Sequence, residues 1–243
     1  MKRKIPMFHQ EFQCLCSLLV LGSFAITCLA CDEGKFKIPK EPEADPFDAS
    51  IVDDAGPGTR CLENEVYGFN NAYSPSFGVE ENPEVVVDIV AYFRCPYCAV
   101  FALWVKDLFD RRTDFYGRVR VNFHHFPLTG HDADAWDIHA AARAAQLQGL
   151  DYFWLLHDEI FTRSYNRQSF SIKKIKSYLE GLGLDMDQFQ EDFESDETLS
   201  FLIWDKEQAE KMFVRGTPTV FVCGFMLANR NELELAIDDF LSD

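Results

Sequence analysis

Residues Val85 to Phe93 read VVVDIVAYF, a β-branched run that is apolar at nearly every position. Such a run fits a strand covered on both faces, since a strand with one wet face alternates. After Arg94 the period changes. Phe101, Trp104, Val105 and Leu108 recur at helical spacing, and Pro96 suits a first helical turn, where its missing N–H costs no hydrogen bond. The chain therefore passes from strand through a sharp turn into helix. Arg118 to Phe126 (RVRVNFHHF) predicts a second strand, closed by Pro127 and a Thr129-Gly130 turn.

Helical periods then dominate. Ala133 to Gln148 is Ala-rich and stops at Gly149; Tyr152 to Thr162 carries Phe153, Leu156 and Ile160 on one side; Ile172, Ile175 and Leu179 mark a third helix ending near Gly181. Asp185 with Gln188 predicts a capping box ahead of Met186, Phe189 and Phe193, and a longer helix is expected from about Glu197 to Phe213. Thr219 to Cys223 predicts a third strand, Gly224 a turn, and Asn231 to Leu241 a closing helix with Leu233, Ile237 and Phe240 inward. The order is strand, helix, strand, a helical block over about 132–213, then strand and helix. That is an α/β fold with an inserted helical subdomain, carried by residues 61–243.

The chain before it is of another kind. Lys2, Arg3 and Lys4 precede an uncharged run from Cys14 to Ala30, the n-region and h-region of an export signal spanning residues 1–30. At this length the run sits at the short limit for a spanning helix, so an uncleaved signal anchor is the alternative to cleavage. Cys28-Leu29-Ala30-Cys31 resembles a bacterial lipoprotein box, which would make Cys31 the lipidated new N-terminus. Cys28 stands where Leu is usual and Leu29 where Ala or Ser is usual, which keeps simple cleavage after Ala30 open. Asp32 resembles the residue that retains lipoproteins in the inner membrane of enteric bacteria. Residues 31–60, with Pro39, Pro42, Pro46 and Pro57 among many acids, read as a flexible acidic tether spanning roughly 30 Å as a coil.

Composition narrows the class. With 47% hydrophobic residues, 23 Phe and 4 Trp in 243 residues, wholesale disorder is excluded and one folded domain is expected. A formal net charge of −17 argues against nucleic acid as a partner, because phosphates must be neutralised by cations. No internal repeat is visible. The acidic excess reads as a solvated surface.

The eight cysteines fall into three groups: Cys14, Cys16, Cys28 and Cys31 near the start, Cys95 and Cys98 as a close pair, and Cys61 and Cys223 as singletons. Cys95-Pro96-Tyr97-Cys98 sits where strand gives way to helix. Two cysteines three apart on a first helical turn lie on one side, close enough to bridge, and the first meets the unpaired N–H groups at the positive end of the helix. That placement favours a thiolate, which is both nucleophile and leaving group in disulfide exchange. Cys95 is thus expected to attack and Cys98, one turn deeper, to resolve. A zinc site would need two further ligands at suitable spacing, which the distant singletons do not offer, and no metal is expected. An inert structural disulfide is the other alternative.

These residues reach a known family. Phe93-Arg94-Cys95-Pro96-Tyr97-Cys98 resembles the active site of DsbA-like thioredoxin-fold oxidoreductases. Further matches follow in order: His124 to Leu128 (HHFPL), Ala141 to Gln148 running into Gly149, Gly183-Leu184-Asp185, and Gly216-Thr217-Pro218-Thr219. The resemblance covers about Val85 to Leu241. It implies a thioredoxin fold, a cis Pro218 facing the dithiol, and a Thr217 backbone that pairs with an extended substrate segment. It also implies a protein thiol:disulfide oxidoreductase that needs no cofactor beyond its own cysteines. Its partners would be cysteine-containing extracytoplasmic proteins and a membrane or soluble redox partner. Export favours the oxidising direction, whereas Thr217 before the proline resembles relatives that reduce or isomerise.

Two departures from the family stand out. Relatives usually carry an acid six positions before the first active cysteine; here that position is Ile89, and the neighbouring Asp88 is expected on the opposite strand face. Cys223 stands where Asn is common, and with Cys31 lipidated Cys61 is its one unpaired companion, so a Cys61–Cys223 bridge is a candidate. His124, His125 and His131 read as structural, and Trp104, Trp136, Trp154 and Trp204 as core. The rival functions are a redox-inactive peptide-binding holdase and a glutaredoxin-like glutathione-dependent reductase.

Overall fold

The computed structural model describes Cys61 and residues 69–128, 134–168 and 170–242. The export signal, Cys31, the tether, the Thr129-Gly130 turn and His131 lie outside the described residues. Five strands form one mixed sheet: β1 (Ser76–Gly78), β2 (Val85–Ala91), β3 (Val119–His125), β4 (Thr219–Val222) and β5 (Phe225–Met226), in the order β1-β3-β2-β4-β5. β2 runs parallel to β3, with Val85 opposite Val119 and Ala91 opposite His125, and antiparallel to β4, with Val87 opposite Val222. Its continuous apolar run is explained by this central place, with both faces covered. The topology is the thioredoxin fold that the motifs imply.

Helix α1 (Pro96–Arg111) returns from the end of β2 and buries Phe101, Val105, Leu108 and Phe109. They pack with Val85, Val87, Val119 and Val121 of the sheet and with Leu233 and Ile237 of the last helix. Leu108 is fully buried, so truncating it to Ala would cost about 2–5 kcal/mol in lost transfer energy and cavity formation. Between β3 and β4 lie five helices: α2 (Ala135–Gln148), α3 (Leu150–Tyr165), α4 (Ile172–Gly181), α5 (Met186–Glu194) and α6 (Asp196–Lys211). They share a core of Ala141, Phe153, Leu156, Leu179, Phe189 and Phe201, which meets the sheet at Ala91 and Phe123 and the turn after β2 at Phe93. Helix α7 (Leu233–Leu241) closes the chain.

Several boundaries differ from the sequence expectation for local reasons. Asp185 accepts from the N–H groups of Asp187 and Gln188, but the Gln188 side chain turns to Asp192, so only one half of the capping box forms. Helix α6 starts at Asp196 because Ser195 Oγ accepts from Thr198 N at 3.0 Å, and it stops at Lys211, with Phe213 at φ 60°. Cys223 leaves the strand: with φ 49° it and Gly224 (φ 82°) make the two-residue turn between β4 and β5, where both central positions need positive φ. The edge strand β1 was not foreseen. It depends on Gly78 at φ 91°, where an added Cβ would lie 2.1 Å from the Val119 carbonyl oxygen.

Candidate active site

Cys95 occupies the N-cap of α1 in an extended conformation (φ −75°, ψ 118°), with Pro96 at the first helical position. Its N–H donates to Tyr92 O at 2.9 Å, which fixes the turn out of β2. Pro96 and Tyr97 are exposed and Cys95 is half-buried, whereas Cys98 keeps 2% of its surface. One sulfur is therefore reachable from outside and the other is not. Both are free thiols here.

The electrostatics separate the pair further. The Cys98 thiol donates to the Cys95 sulfur and is the main reason that the Cys95 pKa falls to about 5; burial works against this. The Thr217 hydroxyl and the N–H groups of Cys98 and Tyr97 at the helix start add to the lowering. For Cys98 the balance is reversed. Burial pushes its pKa up, and a negative Cys95 close by pushes it further. The pair thus holds one proton, on the inner sulfur.

The opposite wall is the loop before β4. The Thr217-Pro218 bond is cis. As a thiol, Cys95 donates to the Thr217 carbonyl at 3.3 Å across 122 positions of chain. Thr217 Oγ1 is buried and within reach of both sulfurs, so it is available to donate to an ionised Cys95. The structure thus brings together Cys95, Pro96, Tyr97, Cys98, Thr217 and Pro218. Around them, Arg94 pairs with Asp134 at 2.5 Å, and the Arg230 guanidinium lies 5.9 Å from the Tyr97 ring centre.

Cys61 and Cys223 lie apart from this site and are bonded to each other, across 162 positions of chain. Val86 N donates to Cys61 Sγ at 3.2 Å and Cys223 N to Val86 O at 2.7 Å, so the bridge is fastened along β2.

Ile89 and Asp88 face opposite sides of β2. Ile89 looks toward Cys98, and Asp88 is buried on the far face, where its Oδ1 accepts from Asn122 Nδ2 at 2.9 Å and meets His124 Nε2 at 3.0 Å. The other ring nitrogen of His124 lies 2.9 Å from Asp205 Oδ1. Burial opposes charge on this ring, but Asp205 and then Asp88 overcome it and raise its pKa to about 9. His125 points the other way, with its Nδ1 2.8 Å from that of His139, and burial holds both rings neutral.

Sequence reading missed the space behind Cys98. A cavity of about 310 Å³ lies between the sheet, α1 and α3, with Cys98, Ile89, Phe123 and Pro218 on its wall. Lys106, His157 and Asp158 also line it. No spacing rule joins these to Cys98, because they come from other turns and another helix.

Comparison with known proteins bears on the family and the fold. A family model described as Thioredoxin matches residues 71–239. A probable disulfide bond formation protein D of Bacillus anthracis is 30% identical over 183 residues, 72% of this chain and 81% of its own. Among solved structures, BdbD from Bacillus subtilis aligns at a TM-score of 0.58 and 20% identity, over 70% of this chain and 94% of that one. The thiol-disulfide exchange protein alpha-DsbA2 from Wolbachia pipientis aligns at 0.60 and 17%, over 75% and 94%. At these identities the two structures speak for the fold.

Proposed function

The chain belongs to the thioredoxin family, among its DsbA-like thiol:disulfide oxidoreductases, and on that footing we propose that Cys95 and Cys98 are its redox pair, acting on cysteine-containing proteins outside the cytoplasm. The observation that carries this reading is the asymmetry of the pair. An accessible sulfur with a pKa of about 5 faces Thr217, and the buried partner is kept protonated.

In the oxidising direction a substrate thiolate attacks Cys95 of the disulfide form. The S–S bond to Cys98 breaks, and Cys98 leaves and takes up a proton. A second substrate thiol then displaces Cys95, which departs as the stable thiolate, with the substrate disulfide formed and the pair reduced by two electrons. In the reducing direction Cys95 attacks first and Cys98 releases the substrate. The low Cys95 pKa stabilises the reduced form, which favours oxidation of substrates. Pro96 and Tyr97 set the shape between the sulfurs, and Thr217 and Pro218 form the wall along which an extended substrate segment lies.

The location is read from the first sixty residues: an export signal over 1–30, lipidation at Cys31 or a signal anchor, and a tether to the domain at 61–243. Among the described residues no helix is long and apolar enough to cross a membrane. Equilibration with glutathione tests the reading. A potential near roughly −120 mV supports an oxidase, one near roughly −270 mV a reductase. A chain whose Cys95→Ser variant keeps full activity on protein substrates would instead be the holdase.

A further inference from the structure

Every catalytic cycle must move a proton on and off Cys98, which has almost no contact with solvent. The family resemblance implies an acid at the position held here by Ile89. Ile89 lies on the wall of the 310 Å³ cavity behind Cys98, and besides Cys98 the titratable side chains on that wall are Lys106, Tyr116, His157 and Asp158. Three of these form a chain. Lys106 Nζ donates to Asp158 Oδ2, and His157 Nδ1 lies 3.1 Å from Asp158 Oδ1.

The carboxylate can only accept, so Nδ1 carries the ring proton and Nε2 keeps its lone pair. His157 is 9% exposed and stands edge-on to Phe123, Trp154 and Phe161, with ring centres 4.8–5.5 Å away. This fixes its orientation beside the cavity. We propose that His157, held in this tautomer by Asp158, exchanges the Cys98 proton through water in the cavity. The proposal rests on Cys95–Cys98 being the redox pair.

The surrounding charges leave the ring able to accept. Burial lowers the His157 pKa, Asp158 raises it, and Lys106 lowers it. Asp110 and Tyr116 act on Lys106, Tyr178 of α4 faces Asp158, and His125 of β3 lies neutral on the inner side. During resolution the Cys98 S–H proton passes to His157, and the sulfur attacks Cys95. The bond from Cys95 to the substrate sulfur breaks, and that sulfur leaves with the electron pair. In the opposite direction His157 returns the proton to the departing Cys98. Asp158 is the positioning residue.

Full-length protein with Cys14, Cys16, Cys28 and Cys31 replaced by Ser, its Cys61–Cys223 bridge kept and its Cys95–Cys98 pair reduced, resolves the two steps when mixed with 2,2′-dithiodipyridine. The first pyridinethione reports attack by Cys95, and the second reports displacement by Cys98 as the Cys95–Cys98 bond forms. His157→Phe preserves the ring packing. It is expected to leave the first release within about twofold and to slow the second about tenfold or more, less than a directly bonded base because water intervenes. The pH inflection of the second release should vanish, and Ile89→Glu in the same chain should restore speed. Asp158→Asn, on a side chain 40% exposed, should lower the pH midpoint of the second release. A second release with wild-type speed and pH profile in folded His157→Phe overturns the proposal, as does slowing with a wild-type midpoint and no rescue. If that variant does not fold, an unchanged midpoint in Asp158→Asn overturns it. Absence of any first release in the wild type would defeat the redox reading itself, a separable failure.

Discussion

Replacing Cys98 by Ala removes the largest cause of the low Cys95 pKa, so the pH profile of Cys95 reactivity should move up from its midpoint of about 5. At pH 7 such a thiol is about 99% ionised, against about 3% for an ordinary cysteine near 8.5. That is roughly a thirtyfold gain in thiolate. Nucleophilicity falls with pKa, however, and a Brønsted slope of 0.4–0.5 over this interval costs roughly 25- to 55-fold. The two effects cancel at neutrality, where wild type should look unexceptional. At pH 5 half of Cys95 is still ionised while an ordinary thiol is nearly all protonated, and the net advantage is about 30- to 60-fold. The assay is therefore exchange with 2,2′-dithiodipyridine from pH 3 to 9, followed by mass on the peptide containing Cys95. Linkage gives a second readout. A depressed folded pKa stabilises the reduced form fully above the unfolded thiol pKa, and that stability is lost as pH falls through about 5. The disulfide form carries no thiolate and lacks this dependence. A wild-type midpoint near 8.5, or one unchanged in Cys98→Ala, would refute the assignment of cause.

Two further predictions concern the frame around the site. Cys61→Ala with Cys223→Ala opens a closure across 162 positions, for which chain entropy gives about 5 kcal/mol, and urea unfolding should show a loss of about 2–5 kcal/mol; a midpoint equal to wild type would show that the bridge adds nothing. His124 has a folded pKa of about 9, above its unfolded value, so its contribution is complete below about pH 6.5 and is lost as pH rises through 9. The melting temperature of wild type should therefore fall over that interval, and a flat profile there would contradict a charged ring between Asp88 and Asp205.

What could be read from the chain and what could not divide along one line. Local spacing carried the strand at Val85, the helix after Pro96, the helical block and the Cys95-Cys98 pair, because each is set by neighbours within a turn or two. The placement of Thr217 and Pro218 came through resemblance, since 122 positions separate Thr217 from Cys95 and no periodicity spans them. Asp88 was rightly turned from Cys98 by strand alternation, yet its pairing with His124 depends on the register Asp88–Asn122 between two strands and on Asp205 from α6. The short edges β1 and β5 left too few residues for a period.

The same distinction explains why the proton path was invisible. Ile89 in place of an acid looked like a missing function when the strand alone was considered. Once α3 packs on α1 across the cavity, an imidazole and a carboxylate share a wall with Cys98. A buried thiol requires only that some group able to take its proton be connected to it by a polar route; the strand that bears that group is not dictated by the chemistry. Loss of the acid at one position and gain of a histidine on a facing helix can therefore leave the sulfur chemistry intact. This makes the Ile89→Glu rescue, and not the slowing in His157→Phe alone, the measurement that distinguishes proton exchange from packing.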